Sequence, residues 1–180
     1  MKFCSHCGSD RLEFRIPEDD NRERRVCADC GTIHYVNPKI VAGALLSWES
    51  RVLLAKRDIE PRRGYWTLPA GYMELGESVA AAAARECWEE ARAEPVDLEL
   101  YGIFSLPQIS QVYIMYRGEL KDGAYGVGEE SSDARLWLEE EIPWDDLAFP
   151  IVHRTLKRWL EERKTGEYTV FEQVLERRPR

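Results

Sequence analysis

The chain has 180 residues, with 33 acidic and 25 basic side chains and a formal net charge of −8. This length favours one ordinary domain with at most a small accessory module, and a hydrophobic content of 44% excludes a disordered chain. The acidic balance argues against a general nucleic-acid binder, which needs a basic face to neutralise phosphates. No apolar run is long enough to span a bilayer and no apolar leader begins the sequence. We therefore expect no membrane association and a cytoplasmic protein with reduced cysteines.

The first 36 residues differ from the rest of the chain. They are polar, they carry four of the five cysteines, and residues 17–25 are almost wholly charged. The Asn37-Pro38 dipeptide marks a boundary, because proline disfavours helix at the residue before it. We therefore predict two domains, a small cysteine-rich module at 1–36 and a main domain at 37–180.

The main domain has the periodicity of a mixed α/β fold. Residues 61–76 are rich in proline and glycine and are predicted to be a loop. The clearest helix is 78–92, where a run of alanines favours helix, and a second helix is predicted at 150–164. The predicted strands are 40–48, 51–57, 96–104, 111–120 and 134–138.

The cysteines of the module form two Cys-x2-Cys pairs separated by 19 residues, and a glycine follows each pair. A tight turn after each pair allows four thiolates to hold one Zn²⁺ in a closed tetrahedral site. A redox-active pair is the alternative, but it normally starts a helix in a thioredoxin-like fold. We predict a structural zinc ribbon with the ligands Cys4, Cys7, Cys27 and Cys30. Cys87 lies in the predicted helix and is expected to be a small buried hydrophobe.

The predicted helix at 78–92 carries a cluster of glutamates. Glu86 and Glu90 are four residues apart and share a face, and Glu89 borders that face. Like charges at this spacing destabilise a helix, and divalent metal ions would offset the repulsion. Carboxylate oxygens suit Mg²⁺, which binds substrate phosphates together with one or two carboxylates. The alternative is a solvated acidic face, as in most glutamate runs.

The helix together with the loop before it resembles the signature of the Nudix hydrolase family. That signature is Gly, five residues, Glu, seven residues, Arg-Glu, an apolar residue, any residue, Glu-Glu, any residue, Gly and an apolar residue. The chain departs from it once, because Arg92 stands where the signature has its last glycine, and this departure puts the turn after the helix in doubt. The matching positions are Gly71, Glu77, Arg85, Glu86, Cys87, Glu89, Glu90 and Ala93.

The resemblance covers about residues 39–164 and implies the family fold, an α/β/α sandwich with a mixed sheet. It also implies Mg²⁺-dependent or Mn²⁺-dependent hydrolysis of a nucleoside diphosphate linked to another group, X. By the family pattern Glu86, Glu89 and Glu90 are metal ligands, and the backbone carbonyl near Ala70 is a further one. Arg85 would hold the glutamates by ion pairing, and Glu77 would support it.

The general base is expected on a later loop, as in relatives. The sequence Gly128-Glu129-Glu130-Ser131 lies between two predicted strands and is the best candidate. We favour Glu130 over Glu129 as the group that accepts the proton of the attacking water. The alternative is an exposed acidic loop without a catalytic role.

The nearest resemblance within the family is to ADP-ribose and FAD pyrophosphatases, which release AMP. The zinc-containing NADH pyrophosphatases carry a Ser-Gln-Pro-Trp-Pro-Phe-Pro array after the signature, whereas here Ser110-Gln111 leads directly into a predicted strand. NADH is therefore kept as an alternative substrate. A sanitising hydrolase of modified nucleoside triphosphates is another alternative.

Several residues are candidates for substrate contact. Trp66, Tyr72 and Tyr113 could stack on a base. Arg57 could meet a phosphate, and Gly71 lies in the entrance loop. Their alternatives are core packing for the aromatic rings and a solvated surface for the arginine. The non-enzymatic alternative is a ligand sensor or a nucleic-acid-binding module that uses basic residues of the ribbon. Family analogy also suggests a homodimer.

Overall fold

The computed structural model describes residues 1–176, and the chain divides into two compact units. The first unit comprises Met1–Asn37, and the second begins at Pro38. In the described part of the chain, every helix is too short or too polar to cross a bilayer.

The first unit contains a three-stranded antiparallel sheet that the sequence analysis did not predict. The strands are β1 (Leu12–Arg15), β2 (Arg24–Cys27) and β3 (Ile33–His34). They are short and mostly polar, so they lack the apolar alternation from which strands are recognised. Val26 and Cys27 are the buried residues of β2. The sheet therefore places one of the four cysteines in the interior of the unit.

The second unit contains two helices and one mixed sheet. Its helices are α1 (Val79–Ala91) and α2 (Pro150–Glu162). Its strands are β4 (Lys39–Trp48), β5 (Arg51–Arg57), β6 (Trp66–Thr67), β7 (Ala70–Tyr72), β8 (Pro95–Leu106), β9 (Gln111–Leu120), β10 (Ser131–Trp137) and β11 (Phe171–Val174). The main strands of the sheet follow the order β10-β5-β4-β9-β8-β11. The β4–β9 and β8–β11 pairs are parallel, and the other pairs along this order are antiparallel.

The two helices cover opposite faces of this sheet. Successive side chains of a strand point to opposite faces, so Leu45 and Leu46 of β4 enter different cores. Leu45 packs in the cluster that contains Leu156 of α2, whereas Leu46 packs in the cluster that contains Cys87 of α1. This arrangement confirms the predicted α/β/α sandwich and the buried position of Cys87.

Two features of the second unit differ from the sequence prediction. Residues 61–76 are not wholly loop, because they include β6 and β7, and β7 pairs with β4. The strand β11 was not predicted, and it extends the sheet beside β8. Phe171 of β11 packs over Gly102, where a Cβ would lie 2.6 Å from the ring. This missing side chain makes room for the aromatic ring.

The helix α1 has well-defined ends. Ser78 is its N-cap, and its hydroxyl accepts a hydrogen bond from the Ala81 N–H at 3.2 Å. Arg92 follows the helix in the left-handed conformation with φ 47°. Its N–H donates to the Trp88 carbonyl at 2.9 Å, and the Ala93 N–H donates to the Cys87 carbonyl at 3.2 Å. The turn expected from the signature glycine is therefore kept, although an arginine occupies the position.

Candidate active site

The strand β7 brings the entrance loop directly onto α1. Gly71 pairs with Ala42 of β4, and its Cα faces the Glu86 side chain. A Cβ added at Gly71 would lie 2.3–2.4 Å from the carboxylate atoms of Glu86. Only glycine allows this carboxylate to approach the loop so closely.

Arg85 is the central cation of the glutamate cluster. Its guanidinium donates to Glu86 at 2.7 Å, to Glu89 at 2.8 Å and to Glu77 at 2.9 and 3.1 Å. A further bond at 3.0 Å reaches the backbone carbonyl of Tyr72. These hydrogen bonds raise the pKa of Arg85, and the bond from Arg85 is the main cause that lowers the pKa of Glu77. The arginine thus ties three glutamates of the helix and its N-terminal loop to one strand.

Two glutamates of the cluster are buried close to one another, and both carry carboxylates. Glu86 is 7% exposed and Glu90 is 5% exposed, whereas Glu89 is exposed. Burial is the main cause that raises the pKa of Glu86, and burial followed by the charge of Glu86 raises that of Glu90 to about 8. The Ala70 N–H donates to Glu90 at 3.3 Å. Two desolvated carboxylates beside one another are an arrangement that a bound cation would stabilise.

The loop before β10 is fixed to the C-terminal end of α1 by backbone contacts. The Gly126 N–H donates to the Ala91 carbonyl at 2.8 Å, and the Gly128 N–H donates to the Glu90 carbonyl at 3.1 Å. A Cβ added at Gly128 would lie 1.7 Å from the Glu89 carbonyl oxygen, so this position requires glycine. From the sequence, Gly128 was predicted only to be part of the loop, although the Gly-x-Gly spacing before the two glutamates indicates a close backbone approach.

The same loop places its two glutamates differently. The Glu130 carbonyl accepts a hydrogen bond from the Asp58 N–H at 2.9 Å, which ties the residue to the end of β5. Glu130 is close enough to Glu86 and Glu90 that its charge adds to burial in raising both pKa values. Both side chains are exposed, and that of Glu129, at 93% exposure, lies 3.8 Å from Arg92. Of the two glutamates, Glu130 is the one whose charge acts on the buried carboxylates.

A cleft of about 1820 Å³ opens over these carboxylates. Arg57 and Tyr113 line it, as do Gly71 and Ala70. Arg57 is held by a 2.9 Å hydrogen bond from its Nε to the Pro61 carbonyl. Burial raises the pKa of Tyr113. Both side chains are therefore in place to meet a ligand in the cleft.

Trp66 lies elsewhere, in the interior of the second unit. It is 6% exposed, and its ring meets the Trp137 ring edge-on at a centroid distance of 5.0 Å. Its packing belongs to the core cluster on the α2 side of the sheet. This is the core alternative of the sequence analysis, and we do not propose a stacking role for Trp66.

Tyr72 also lines the cleft, with its hydroxyl and ring held in place. The Gln111 side-chain amide donates to the Tyr72 hydroxyl at 2.8 Å, and the Lys39 Nζ lies 4.8 Å from the ring centroid. Tyr72 was among the aromatic candidates for stacking, and its place at the cleft depends on the pairing of β7 with β4. The ring offers an exposed aromatic surface within the cleft.

In the first unit the four cysteines of the two pairs converge. The Cys4 and Cys30 sulfurs are 3.7 Å apart, the Cys7 and Cys27 sulfurs are 3.6 Å apart, and all four lie within 4.8 Å of one another. Zn–S bonds of about 2.3 Å in a tetrahedron give sulfur separations of about 3.8 Å. The cysteine cluster therefore fits a zinc ion.

The two cysteine turns have the same backbone geometry. The Gly8 N–H donates to the Cys4 carbonyl and the Gly31 N–H donates to the Cys27 carbonyl, both at 2.9 Å. The glycines have φ values of +77° and +73°, which favour glycine. Hydrogen bonds from Thr32 lower the pKa of Cys30, whereas hydrogen bonds with the other cysteines raise the pKa of Cys7. Four thiols this close share their protons, and a bound cation would favour the thiolates.

Comparison with known proteins identifies the family. The model of the Nudix N-terminal zinc ribbon matches residues 2–36, and the model of the NUDIX domain matches residues 37–160. The chain belongs to the Nudix hydrolase family. A crystal structure of a NUDIX hydrolase from Nitrosomonas europaea is 48% identical, has a TM-score of 0.93, and covers 98% of this chain and 100% of that one.

Named Nudix relatives differ in their activities. The ADP-ribose pyrophosphatase of Methanocaldococcus jannaschii is 35% identical over 118 residues, which are 61% of this chain and 67% of the relative. The NAD-capped RNA hydrolase NudC of Vibrio vulnificus is 27% identical over 150 residues, which are 79% of this chain and 53% of the relative. The chain thus spans about half the length of that relative. The NUDIX domain of Shewanella oneidensis NrtR, complexed with ADP ribose, shares the fold, with 22% identity, a TM-score of 0.62, and coverage of 72% of this chain and 90% of that one.

Proposed function

We propose that this Nudix hydrolase cleaves the pyrophosphate bond of ADP linked to X, with ADP-ribose as the first substrate and FAD as the second. The observation that carries the proposal is the buried pair Glu86 and Glu90 under a cleft, with Glu86 held by Arg85 and the charge of Glu130 nearby. The likeness to a protein named ADP-ribose pyrophosphatase supports the choice of X. AMP and a second phosphate compound would be the products.

The proposed metal ligands are Glu86, Glu89, Glu90 and the Ala70 carbonyl. Their oxygen atoms suit Mg²⁺ or Mn²⁺, and the two buried carboxylates lack enough positive charge of their own. A bound divalent ion supplies positive charge that neutralises the pyrophosphate and lowers the pKa of a water molecule. Arg85 holds the carboxylates in place through its ion pairs.

The other residues of the site act on the proton and the substrate. Glu130 is proposed as the base that accepts the proton of the attacking water, because it lines the cleft and its charge acts on the buried carboxylates. Arg57 and Tyr113 contact the phosphate and a ring of the substrate, respectively, from the wall of the cleft. Gly71 keeps the loop close to Glu86. The chemistry asked of the chain is therefore positioning and proton transfer.

We also propose that the ribbon binds Zn²⁺ as a structural ion. Its four cysteines leave no open position for a substrate. The domain boundaries that we propose are 1–36 for the ribbon and 37–180 for the hydrolase. A homodimer stays a prediction, which sedimentation velocity checks.

A second candidate function is hydrolysis of NADH or of an NAD-capped RNA. It is favoured by the likeness to proteins named NAD-capped RNA hydrolase, one of which aligns over 79% of this chain. The missing Ser-Gln-Pro-Trp-Pro-Phe-Pro array argues against NADH. Sanitation of modified nucleoside triphosphates is separable by its product, because it releases pyrophosphate instead of two monophosphates.

The test is a substrate panel with Mg²⁺ that contains ADP-ribose, FAD, NADH, NAD-capped RNA and nucleoside triphosphates. We expect the highest kcat/KM for ADP-ribose, with AMP as a product. The Glu90→Gln variant should lose turnover by about 10²-fold or more while it keeps its fold, since it removes a charged ligand. Glu119→Gln, at an exposed position of β9, is the matched control. Retained turnover in Glu90→Gln would contradict the metal assignment, and a preference for a triphosphate would contradict the substrate.

A further inference from the structure

The cleft continues well beyond the carboxylates. Its volume of about 1820 Å³ exceeds the roughly 300–1,000 Å³ that is typical of small-ligand sites. Arg57 lines the cleft between its two ends. At one end, the charge of Arg57 favours the ionised form of Glu90. At the other end, the Arg57 guanidinium is 5.2 Å from the Phe149 ring centroid. Phe149 directly precedes α2. The cleft therefore runs from the carboxylates to the first turns of that helix.

Basic side chains of α2 line this second part of the cleft. Three of them are His153, Arg154 and Lys157. Lys157 follows Arg154 by three residues and His153 by four, so it neighbours both on one helix face. Burial, followed by the positive charges of Lys157 and Arg154, lowers the pKa of His153, which places the three groups close together. Like charges on one face destabilise a helix, and an anion bound between them would relieve the repulsion.

These cations have no acidic partner of their own. On the same helix Arg158 pairs with Glu162 at 2.7 Å. Within residues 1–176, no carboxylate oxygen lies within 4.0 Å of a side-chain nitrogen of Arg154 or Lys157, including those of Glu176, which also lines the cleft. Their charge is therefore available to a ligand.

An aromatic wall accompanies the cations. The Trp144 ring is half-buried and meets the His153 ring at a centroid distance of 5.0 Å with an interplanar angle of 70°. It lines the same cleft. An aromatic surface beside several cations suits a nucleotide or a phosphorylated sugar.

We propose that Trp144, His153, Arg154 and Lys157 form a second anion site, which binds a phosphate group of the substrate beyond the pyrophosphate that is cleaved. The inference rests on the proposed function and narrows its substrate class. The additional phosphate can come from a phosphomonoester on a ribose or from the phosphodiester of an attached nucleotide chain. Both present the same anionic oxygens to the helix.

The test compares unphosphorylated and phosphorylated substrates. ADP-ribose is measured beside ADP-ribose 2′-phosphate, ADP-ribose 1″-phosphate and an NAD-capped trinucleotide, whose reference is NAD. For at least one phosphorylated compound, the wild-type chain should have a KM about tenfold lower than for the matching compound without the extra phosphate. A tenfold ratio is the effect expected of one charge-assisted hydrogen bond. The Arg154→Gln/Lys157→Gln double variant should abolish that ratio. The matched control is Lys164→Gln, an exposed lysine beyond the end of α2.

The outcomes separate this site from the proposed function. A lower KM for a ribose phosphate and a lower KM for the capped trinucleotide both support the site and identify the source of the phosphate. Equal KM values in the wild-type chain, or a ratio that the double variant keeps, would overturn it. If none of the compounds is hydrolysed, the proposed function fails, and binding titrations of the same compounds in the same buffer still measure the preference that decides the second site.

Discussion

Arg85 determines how charge is distributed among the signature glutamates. It contacts Glu77, Glu86 and Glu89 directly, whereas Glu90 receives only a backbone N–H and the more distant charge of Arg57. Glu90 is also the carboxylate whose pKa is raised to about 8, by burial and by Glu86. The least compensated charge is therefore at the floor of the cleft, where a cation is most useful.

The choice between the two loop glutamates gives a prediction at the residue scale. Glu130→Gln should lower kcat by about 10²–10⁴-fold with little change in KM, because a general base acts in the transition state. Glu129→Gln is the matched control and should stay within about twofold, as for an exposed surface group. Steady-state kinetics on ADP-ribose make the measurement. A large loss of kcat in Glu129→Gln together with a small loss in Glu130→Gln would identify Glu129 as the base.

The close approach at Gly71 gives a second prediction. In Gly71→Ala the new Cβ would displace the Glu86 carboxylate, since the two would otherwise be 2.3–2.4 Å apart. We expect kcat/KM to fall by about 10²-fold, the effect of moving a reacting group by about 1 Å. Thermal unfolding should change little, because a side-chain end can move aside. Unchanged kinetics would show that the position of Glu86 does not limit the reaction.

At the scale of the elements, the end of α1 tolerates a residue that its backbone disfavours. Arg92 is left-handed, and its guanidinium lies 5.7 Å from the Trp88 ring centroid, which gives some compensation. The loop with Gly126 and Gly128 docks on the same helix end through backbone groups. Arginine at the signature glycine position therefore leaves both the turn and the loop in place.

This helix end gives a third prediction. Arg92→Gly should raise the free energy of unfolding by about 1 kcal/mol, because glycine adopts the left-handed conformation without a steric penalty. Ala91→Gly, one residue earlier and within the helix, should lower it by about 1 kcal/mol or more. Denaturant unfolding measures both. A less stable Arg92→Gly variant would mean that the Trp88 and Glu129 contacts outweigh the backbone strain.

At the scale of the whole molecule, the two units depend on different sources of stability. Among residues 1–176, the three buried hydrophobic clusters consist of residues of the second unit. Besides Pro17, the buried apolar residues of the first unit are Cys4, Val26 and Cys27, and two of these are proposed zinc ligands. So small a core needs a metal to fold.

This difference gives a fourth prediction. Cys27→Ser should lose the bound zinc and unfold the first unit, because zinc binding supplies its folding free energy. The hydrolase unit should keep its unfolding transition. Cys87→Ser, inside the second unit, should keep one zinc per chain and lower the stability of that unit. Metal analysis and circular dichroism test both, and full zinc retention in Cys27→Ser would contradict the four-cysteine site.

Much of the site was predictable from spacing along one segment. The helix α1, its N-terminal loop and both cysteine pairs are local features, and the helical repeat alone puts Glu86 and Glu90 on one face. Periodicity along the chain indicated a mixed α/β fold, and the α/β/α sandwich followed from the resemblance to the Nudix family. The short strands β6, β7 and β11 were not, because pairing with distant partners stabilises them.

The sequence by itself determined the family, the cluster of carboxylates and the four cysteines, since each depends on residue types at fixed short spacing. The tertiary structure decided why Gly71 and Gly128 leave room for the carboxylate and the helix end, and that Trp66 belongs to the core. These outcomes depend on contacts between segments far apart in the chain. The register of β4 with β7 and the docking of the loop on α1 set those contacts, and neither is encoded in any one segment.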